Sequence, residues 1–490
     1  MDWLLPITVA APLGGAILIL IIGKFWKNFG SFWTLITTFG VLVVSIRLLG
    51  EAPMVYKMGG WYPPLGIALY MDSLTNLMLL VVNIVAFAAA FFSFAYMKQY
   101  TAEFKYYSLF LLMLAGMNGV VVTGDLFNLF VFFEIASIAS YALVGFGVES
   151  EELEAAFKYL VISSLASTMV LLGVAIVYAY TGTLNMADAA NYLNIIGTSK
   201  GILFAIGLFI MGFGTKAALA PFHAWLPDAH PAAPAPISAM LSGVLIKSLG
   251  VYALARVLYS VFGLNPIASN ILLVLGGLSV LVGVLPAVGQ ADLKRMLAYC
   301  SISQIGYIVI GIGLGTPLGI AGGLFHLANH GIYKSLLFLN SGSIEYELKT
   351  RHMKKMGGIL KEMPVTGTTT AIGSLAISGI PPLNGFWSKI LIILATIQSH
   401  KYILTATAAF ETFVTILIFA KVFREVLLGE KRVPFKLKEV PFPMAFATSI
   451  LALVCICMGL LYPIFLNTIF YPAQNALLDR ALFIKTLLGG

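Results

Sequence analysis

About fourteen stretches of predominantly apolar residues, each about 18 or more residues long, follow one another along the chain with only short polar loops between them. They fall at 3–23, 31–49, 73–97, 106–123, 126–147, 157–181, 201–219, 237–262, 267–288, 295–315, 317–341, 366–397, 403–427 and 442–466. A helix of that length crosses the hydrocarbon core of a bilayer, and a helix satisfies its own backbone hydrogen bonds where no water can do so. The expected fold is therefore an all-α polytopic membrane protein. Composition agrees, with 60% hydrophobic and 10% charged residues among 490, a balance foreign to a soluble domain of this length.

The first stretch begins beside an acid, Asp2, and lacks both a basic leader and a small-residue cleavage site, so it reads as a retained helix. The residues after the last stretch, FLNTIFYPAQNALLDRALFIKTLLGG, form a short amphipathic segment expected along the bilayer surface. Cys300, Cys455 and Cys457 all lie in apolar runs, which points to neither a disulfide framework nor a metal cluster. The net charge of +8 is that of a membrane protein with basic loops and does not indicate nucleic acid. Basic residues concentrate after odd-numbered spans, among them Lys24, Lys27, Lys98, Lys105, Lys294, Arg295, Arg351 and Lys431, which makes that side cytoplasmic and puts both termini outside. The acidic run at Glu149, Glu151, Glu152 and Glu154 falls on the same side and reads as a solvated loop leading into a helix N-terminus.

No long soluble segment or linker divides the chain, so residues 1–490 are expected to form one membrane domain. Two spans are interrupted. The seventh runs into Pro221, Pro227, Pro231, Pro234 and Pro236, and the twelfth carries Pro381 and Pro382 near its middle. Proline removes a backbone donor and clashes with the preceding turn, so both are expected to be broken helices. Each break has a lysine beside it, Lys216 and Lys389. Interrupted helices at corresponding places of two halves point to inverted repeats with a site near the midplane, here spans four to eight and nine to thirteen.

Ionisable residues inside these spans are costly, about 3 kcal/mol for a lysine at a helix centre, and are functional by default. Lys216 closes span seven and Lys247 lies within span eight. Glu134 sits in span five with Ser137 and Tyr141 on the same helical face, and a neighbouring lysine would hold its charge, which makes Glu134 with Lys216 a candidate ion pair. Span eleven contains His326, His330 and Lys334 at successive spacings of four, a ladder along one face that suits proton transfer because imidazole exchanges protons at either nitrogen. Two histidines so spaced also suit a metal, but no carboxylate or thiolate stands near them in sequence. Burial favours the neutral amine, so Lys216, Lys247 and Lys389 are expected to accept and release protons. Lys158, near the start of span six, divides between this role and reaching the aqueous interface.

The segments VFFEIASIASY around Glu134, KAALAPFHAWLPDAHPAAPAPISAML from Lys216, GVLIKSLGVY around Lys247, DLKRMLAYCSISQIGY from Asp292, HLANHGIYKSLLFL from His326 and GIPPLNGFWSKI around Lys389 resemble an antiporter-like family. That family is shared by the Mrp D subunit of sodium/proton antiporters and the large proton-pumping membrane subunits of respiratory complex I and membrane-bound hydrogenases. The resemblance implies fourteen helices, two inverted five-helix repeats over 106–262 and 267–427 flanked by 1–97 and 442–490, and a hydrated polar axis across the bilayer middle. It implies that Glu134 and Lys216 form a coupling pair, that Lys247 leads inward, that His326 and His330 continue the path, and that Lys389 stands at its exit. Lysine rather than glutamate at that last position is more similar to the Mrp D subunit and to one of the complex I homologues, and the short tail differs from members with a long lateral helix.

The expected function is proton translocation along Glu134, Lys216, Lys247, His326, His330, Lys334 and Lys389. It would take place within a multi-subunit cation/proton antiporter or a respiratory complex in the cell membrane. The expected partners are other membrane subunits, the lipid bilayer and protons, with passage of sodium through this chain left open, and no nucleic acid. No catalytic centre, cofactor site or metal site is expected in the chain itself. The competing reading is a self-sufficient solute transporter, which needs a polar substrate pocket lined by carbonyls and hydroxyls rather than by titratable groups.

Overall fold

A computed structural model describes residues 2–489 except 27, 433 and 435. Lys27, counted above among the basic loop residues, lies outside the described residues. Helices α1 (Leu4–Ile22) and α2 (Phe29–Arg47) lead into a small antiparallel hairpin of β1 (Met54–Lys57) and β2 (Ala68–Met71). Next come α3 (Ser73–Gln99), α4 (Glu103–Val122), α5 (Leu126–Val144) and α6 (Ser150–Thr181). The short α7 (Met186–Ile196) precedes α8 (Lys200–Lys216) and α9 (Leu226–Ala232). The middle of the chain supplies α10 (Ala235–Val261), α11 (Pro266–Gly289), α12 (Leu293–Gly313) and α13 (Pro317–Leu348). It continues with α14 (Pro364–Ser378), α15 (Asn384–Gln398), α16 (Tyr402–Leu427) and α17 (Phe442–Leu460), and ends in α18 (Tyr471–Leu478) and α19 (Arg480–Leu488).

Eleven of these helices are long and apolar enough to cross a membrane. The expected spans seven, eleven and twelve are not among them, and each for a visible reason. Span seven is α8, which stops after 17 residues at Lys216. Span eleven is α13, 32 residues long but carrying His326, Asn329, His330, Lys334 and Asn340. Span twelve is divided into α14 and α15 by a turn at Gly379, whose φ of 72° is open to glycine at no steric cost. The all-α expectation also needs one correction, because residues 54–71 pair as a hairpin where apolar β-formers such as Val55, Tyr56, Leu69 and Tyr70 flank a Pro- and Gly-rich turn.

Helix starts follow capping chemistry. The carboxylates of Asp72, Asp125 and Asp292 accept the backbone N–H groups of Thr75, Asn128 and Arg295 at 2.8, 2.7 and 2.9 Å, each three residues on. Thr316 caps α13 with Pro317 in its first turn, where the missing N–H is not needed. Glu149 and Glu152 close a capping box on α6, so the acidic run is the first turn of that helix, as expected.

The centre of the bundle is α10, α12 and α13. The candidate span in α10 is buried throughout and that in α12 to 94%, against 33% for α16 at the periphery. Over Leu241–Tyr252 the turns of α10 widen to an i to i+5 pattern, a local form frequent at functional sites, and Lys247 lies within it. At one end of the bundle Arg256 of α10 meets Asp72 through two bonds of 2.8 and 2.7 Å, with Thr75 Oγ1 accepting a third at 3.1 Å.

The C-terminal segment, expected along the bilayer surface, folds back onto the bundle on one side and leaves Leu478 and Leu482 exposed on the other. Arg480 donates to the carbonyls of Ala190, Ser260 and Val261, the phenyl ring of Phe483 stands edge-on to Tyr70 at 5.0 Å, and Leu487 is buried. The Ser260 and Val261 carbonyls, in the last turn of α10, lack partners within the helix and accept the guanidinium instead.

Candidate functional site

The two helix breaks position the first and last lysines of the expected axis. After Lys216 the chain turns through Ala218, with φ of 57°, and the amide of Ala220 is taken up by Ser279 Oγ of α11 at 2.8 Å. Trp225 closes this break from beyond, its indole N–H on the carbonyl of Thr215 at 2.9 Å and its ring stacked on Tyr159 at 4.2 Å. At the second break Asn384 and Asn329 exchange hydrogen bonds, the Asn384 amide donating to Asn329 at 3.0 Å and the Asn329 amide donating to the Asn384 carbonyl at 2.9 Å. These bonds tie the start of α15 to α13, with Ser388 turned toward α13 and Lys389 toward α12 and α16.

Lys216 is fully buried. Its ammonium donates to Tyr141 Oη at 3.2 Å and to Ser163 Oγ, and it lies 4.9 to 5.2 Å from the ring centres of Tyr159, Tyr141 and Phe133. Hydroxyls and aromatic faces thus stabilise the cation. No ion pair joins Lys216 to Glu134 among the described residues, contrary to the expected contact. Glu134 is only half-buried and its Oε1 has no hydrogen-bond partner among the described residues, whereas Ser137 and Tyr141 on the same helix turn inward.

Lys247 and Lys334 are fully buried on neighbouring helices, and neither meets a carboxylate among the described residues. The amine of Lys247 donates to the carbonyl of Ser242, and that of Lys334 donates to the carbonyl of Leu297 at 2.6 Å. The Ser335 hydroxyl reaches the carbonyl of Ala239 at 3.2 Å, tying α13 to α10 beside both lysines.

Two rungs of the expected ladder, the histidines, stack along α13, while the third, Lys334, turns to Leu297. The rings of His326 and His330 lie 6.3 Å apart and within 4° of parallel. His326 is engaged at both nitrogens, Nδ1 with Ser388 Oγ at 2.9 Å and Nε2 with Gln304 Oε1 at 3.0 Å. Because an amide oxygen only accepts, the Nε2 proton is on that side and Nδ1 is left to accept. His330 is buried with neither nitrogen bonded to protein among the described residues.

Lys389 has a partner that the sequence did not suggest. Its ammonium meets Glu411 Oε2 of α16 at 3.1 Å, and both side chains are buried. Glu411 Oε1 accepts from Gln304 Nε2 at 2.5 Å, Thr415 Oγ1 at 2.6 Å and Ser303 Oγ at 3.1 Å. Gln304 therefore bridges His326 and Glu411, so that His326, Gln304, Glu411 and Lys389 are linked by successive hydrogen bonds. The signal for Glu411 is present as an acid within the apolar run TATAAFETFVTILIFA, the same kind of signal that singles out Glu134.

A second set of charges gathers where α6, α9, α12 and α13 end. Lys158 pairs with Glu154 at 2.7 Å and Asp228 at 3.2 Å, so it belongs to this exposed set rather than to the buried lysines. Lys294 is buried and pairs with Glu345 at 2.9 Å, and Arg351 pairs with Asp292 at 3.2 Å. A cavity of about 450 Å³ opens among them, lined by Glu152, Lys294, Glu345 and Arg351. It lies over Pro231 and Ala233, whose neighbour His230 is buried with both ring nitrogens unpartnered among the described residues.

Residues 123–415, which hold every member of the expected axis, match the family described as "NADH:quinone oxidoreductase/Mrp antiporter, TM", and residues 63–107 match "NADH-Ubiquinone oxidoreductase (complex I), chain 5 N-terminus". The chain is 36% identical over 460 residues to the Na(+)/H(+) antiporter D subunit of Alkalihalophilus pseudofirmus, covering 92% of each. It is 37% identical over 409 residues to the NADH-quinone oxidoreductase N subunit of Desulforudis audaxviator, covering 82% of this chain and 81% of that one. Its fold is similar to a chain of the membrane-bound sulfane sulfur reductase, an archaeal respiratory membrane complex, with a TM-score of 0.91, 32% identity and 99% of each chain covered. This chain belongs to the NADH:quinone oxidoreductase/Mrp antiporter family of transmembrane subunits.

Proposed function

We propose that this chain is the proton-translocating subunit of a multi-subunit membrane complex and that protons move along Glu134, Lys216, Lys247, Lys334, His330, His326 and Lys389. The observation that carries this reading is the set of four lysines and two histidines buried in the interior of the bundle. An interior built to be inert would not hold so many titratable groups, since each lysine costs about 3 kcal/mol at a bilayer centre. Membership of an antiporter and oxidoreductase family supports the same reading.

In this proposal α8 with α9, α13, and α14 with α15 add to the eleven apolar helices to make fourteen spans, with inverted repeats over 106–262 and 267–427. The two breaks, each beside a side chain of the axis, support that division. The chain lies in the cell membrane with both termini outside, and the cavity at Lys294 and Glu345 opens to the cytoplasm. Protons are taken up there, pass to Lys247 and Lys334, and reach Lys389 through the histidines. Lys216, held by hydroxyls rather than by Glu134, gains or loses its counter-charge as Glu134 moves, and this couples transport to neighbouring membrane subunits.

Transport of sodium by the same complex rests on the antiporter relative, and redox drive rests on the oxidoreductase relative. Purification of the tagged chain from its own membrane in mild detergent, with identification of what accompanies it, separates them. Iron–sulfur subunits with electron-transfer activity make it a redox-driven pump subunit. Small hydrophobic subunits without such activity make it part of a gradient-driven antiporter. A chain that purifies alone and transports a solute overturns the proposal.

A further inference from the structure

The four buried lysines of the axis differ in what faces them. Lys216 meets hydroxyls and ring faces, Lys247 and Lys334 each meet a backbone carbonyl, and Lys389 meets the carboxylate of Glu411. A full opposite charge at 3.1 Å stabilises a buried ammonium far more than a dipole does. Glu411 is in turn built into place. Its two oxygens accept four bonds, from Lys389, Gln304, Thr415 and Ser303, and every partner is a donor, so the surroundings are complementary to the carboxylate. Tyr307 stands beside the pair, its ring 5.3 Å from the Lys389 ammonium and its hydroxyl bonded to Thr412 of α16 at 2.7 Å.

Resting on the pathway proposed above, we infer that Glu411 is the fixed counter-charge that makes Lys389 the terminal proton store of the axis. Glu411 is a positioning residue that acts through Lys389. The transported proton is carried on Nζ as an N–H bond of the ammonium, and Glu411 remains a carboxylate throughout. The relay His326–Gln304–Glu411 ties the store to the ladder, because a change at His326 Nε2 is felt by the Gln304 amide that donates to Glu411. The axis is therefore asymmetric. At its Lys216 end the counter-charge is displaced, and at its Lys389 end it is built in.

The test uses the complete complex in inverted membrane vesicles, with proton uptake followed by a pH-sensitive dye and the amount of assembled complex measured in parallel. Glu411→Gln preserves shape and an acceptor for Ser303 and Thr415 while removing the charge, and it is expected to lower proton flux about tenfold or more at an unchanged amount of complex. Glu411→Asp is expected to recover most of that flux. The double variant Lys389→Gln with Glu411→Gln is expected to be no worse than Lys389→Gln alone, because a residue acting only through Lys389 has nothing left to act on.

Wild-type flux in Glu411→Gln, or a double variant whose losses multiply, overturns the inference. If Glu411→Gln does not assemble, Glu411→Asp and the double variant, whose charges cancel, carry the test by the same criteria. Loss of flux in Lys389→Ala with wild-type flux in Glu411→Gln removes this inference and leaves the pathway standing. Wild-type flux in Lys389→Ala removes the pathway itself.

Discussion

A β-carbon on Gly250 of α10 would fall 2.6 Å from both the Cα and the amide nitrogen of Ala217, the residue that follows Lys216 at the first helix break. The backbone of the central helix and the backbone of the break are therefore in direct contact, and they can be so only because residue 250 has no side chain. Gly250→Ala is expected to push the break away from α10, costing about 1–3 kcal/mol as an overpacking change and displacing Lys216 from its hydroxyl partners. Thermal denaturation of the purified complex reads the first effect. Proton flux per assembled complex, expected to fall more than the stability loss alone would bring, reads the second.

Lys216 itself is expected to be indispensable under the proposed pathway. Lys216→Ala should abolish proton flux in vesicles while the complex still assembles, since removing a buried cation held by hydroxyls leaves no unpaired charge behind. Tyr141→Phe and Ser163→Ala each remove one hydroxyl from the ammonium and are expected to reduce flux by about tenfold to a hundredfold, the worth of one hydrogen bond to a charged group. Full transport in Lys216→Ala would exclude the pathway as drawn.

Asp72 and Arg256 make the opposite case, a buried pair whose two bonds fasten α3 to α10. Removing one partner strands a buried charge. Asp72→Asn or Arg256→Met is expected to cost about 3–5 kcal/mol and to lower the amount of assembled complex sharply. Replacing both, as Asp72→Leu with Arg256→Met, should recover much of that loss, and the comparison of the three by thermal denaturation checks the coupling.

Outside the membrane, the Lys431 ammonium hydrogen-bonded to Glu362 at 3.0 Å holds that carboxyl below the usual carboxylate range. A folded value below the unfolded one means that the contact contributes in full above the ordinary range and is lost as pH falls through the folded value. The loop carrying Glu430 and Lys431 should loosen from Glu362 on acidification. A spin label at Glu430 is expected to gain mobility at low pH in the native chain and to be mobile throughout in Lys431→Ala. Mobility that does not change with pH in the native chain would rule the contact out as a tether.

Much of the site is legible in the sequence because its signals are local. A lysine or histidine inside an apolar run is conspicuous whatever it touches, and this identifies Lys216, Lys247, His326, His330, Lys334 and Lys389, each of which is buried. The prolines at 221–236 and at 381–382 announce breaks that the helices show. Glu411 obeys the same rule as Glu134 yet escapes notice, because no motif surrounds it and its partners Gln304, Ser303 and Lys389 come from two other helices. The tail has the amphipathic sequence of an interfacial helix, and nothing in it reveals that carbonyls of residues 190, 260 and 261 wait for Arg480.

Sequence alone determined that this chain spans a membrane many times, where two of its helices break and which titratable residues the apolar segments must hide. Those follow from hydropathy, helical period and the chemistry of proline, all properties of neighbouring residues. Only the tertiary structure decided the partners. Lys216 rests on Tyr141 and Ser163 instead of Glu134, and Lys389 faces Glu411, because a side chain bonds to whatever the packing of distant helices brings within about 3 Å of it. That geometry depends on which helix faces meet, as where Gly250 lets α10 touch Ala217, and no local pattern encodes it.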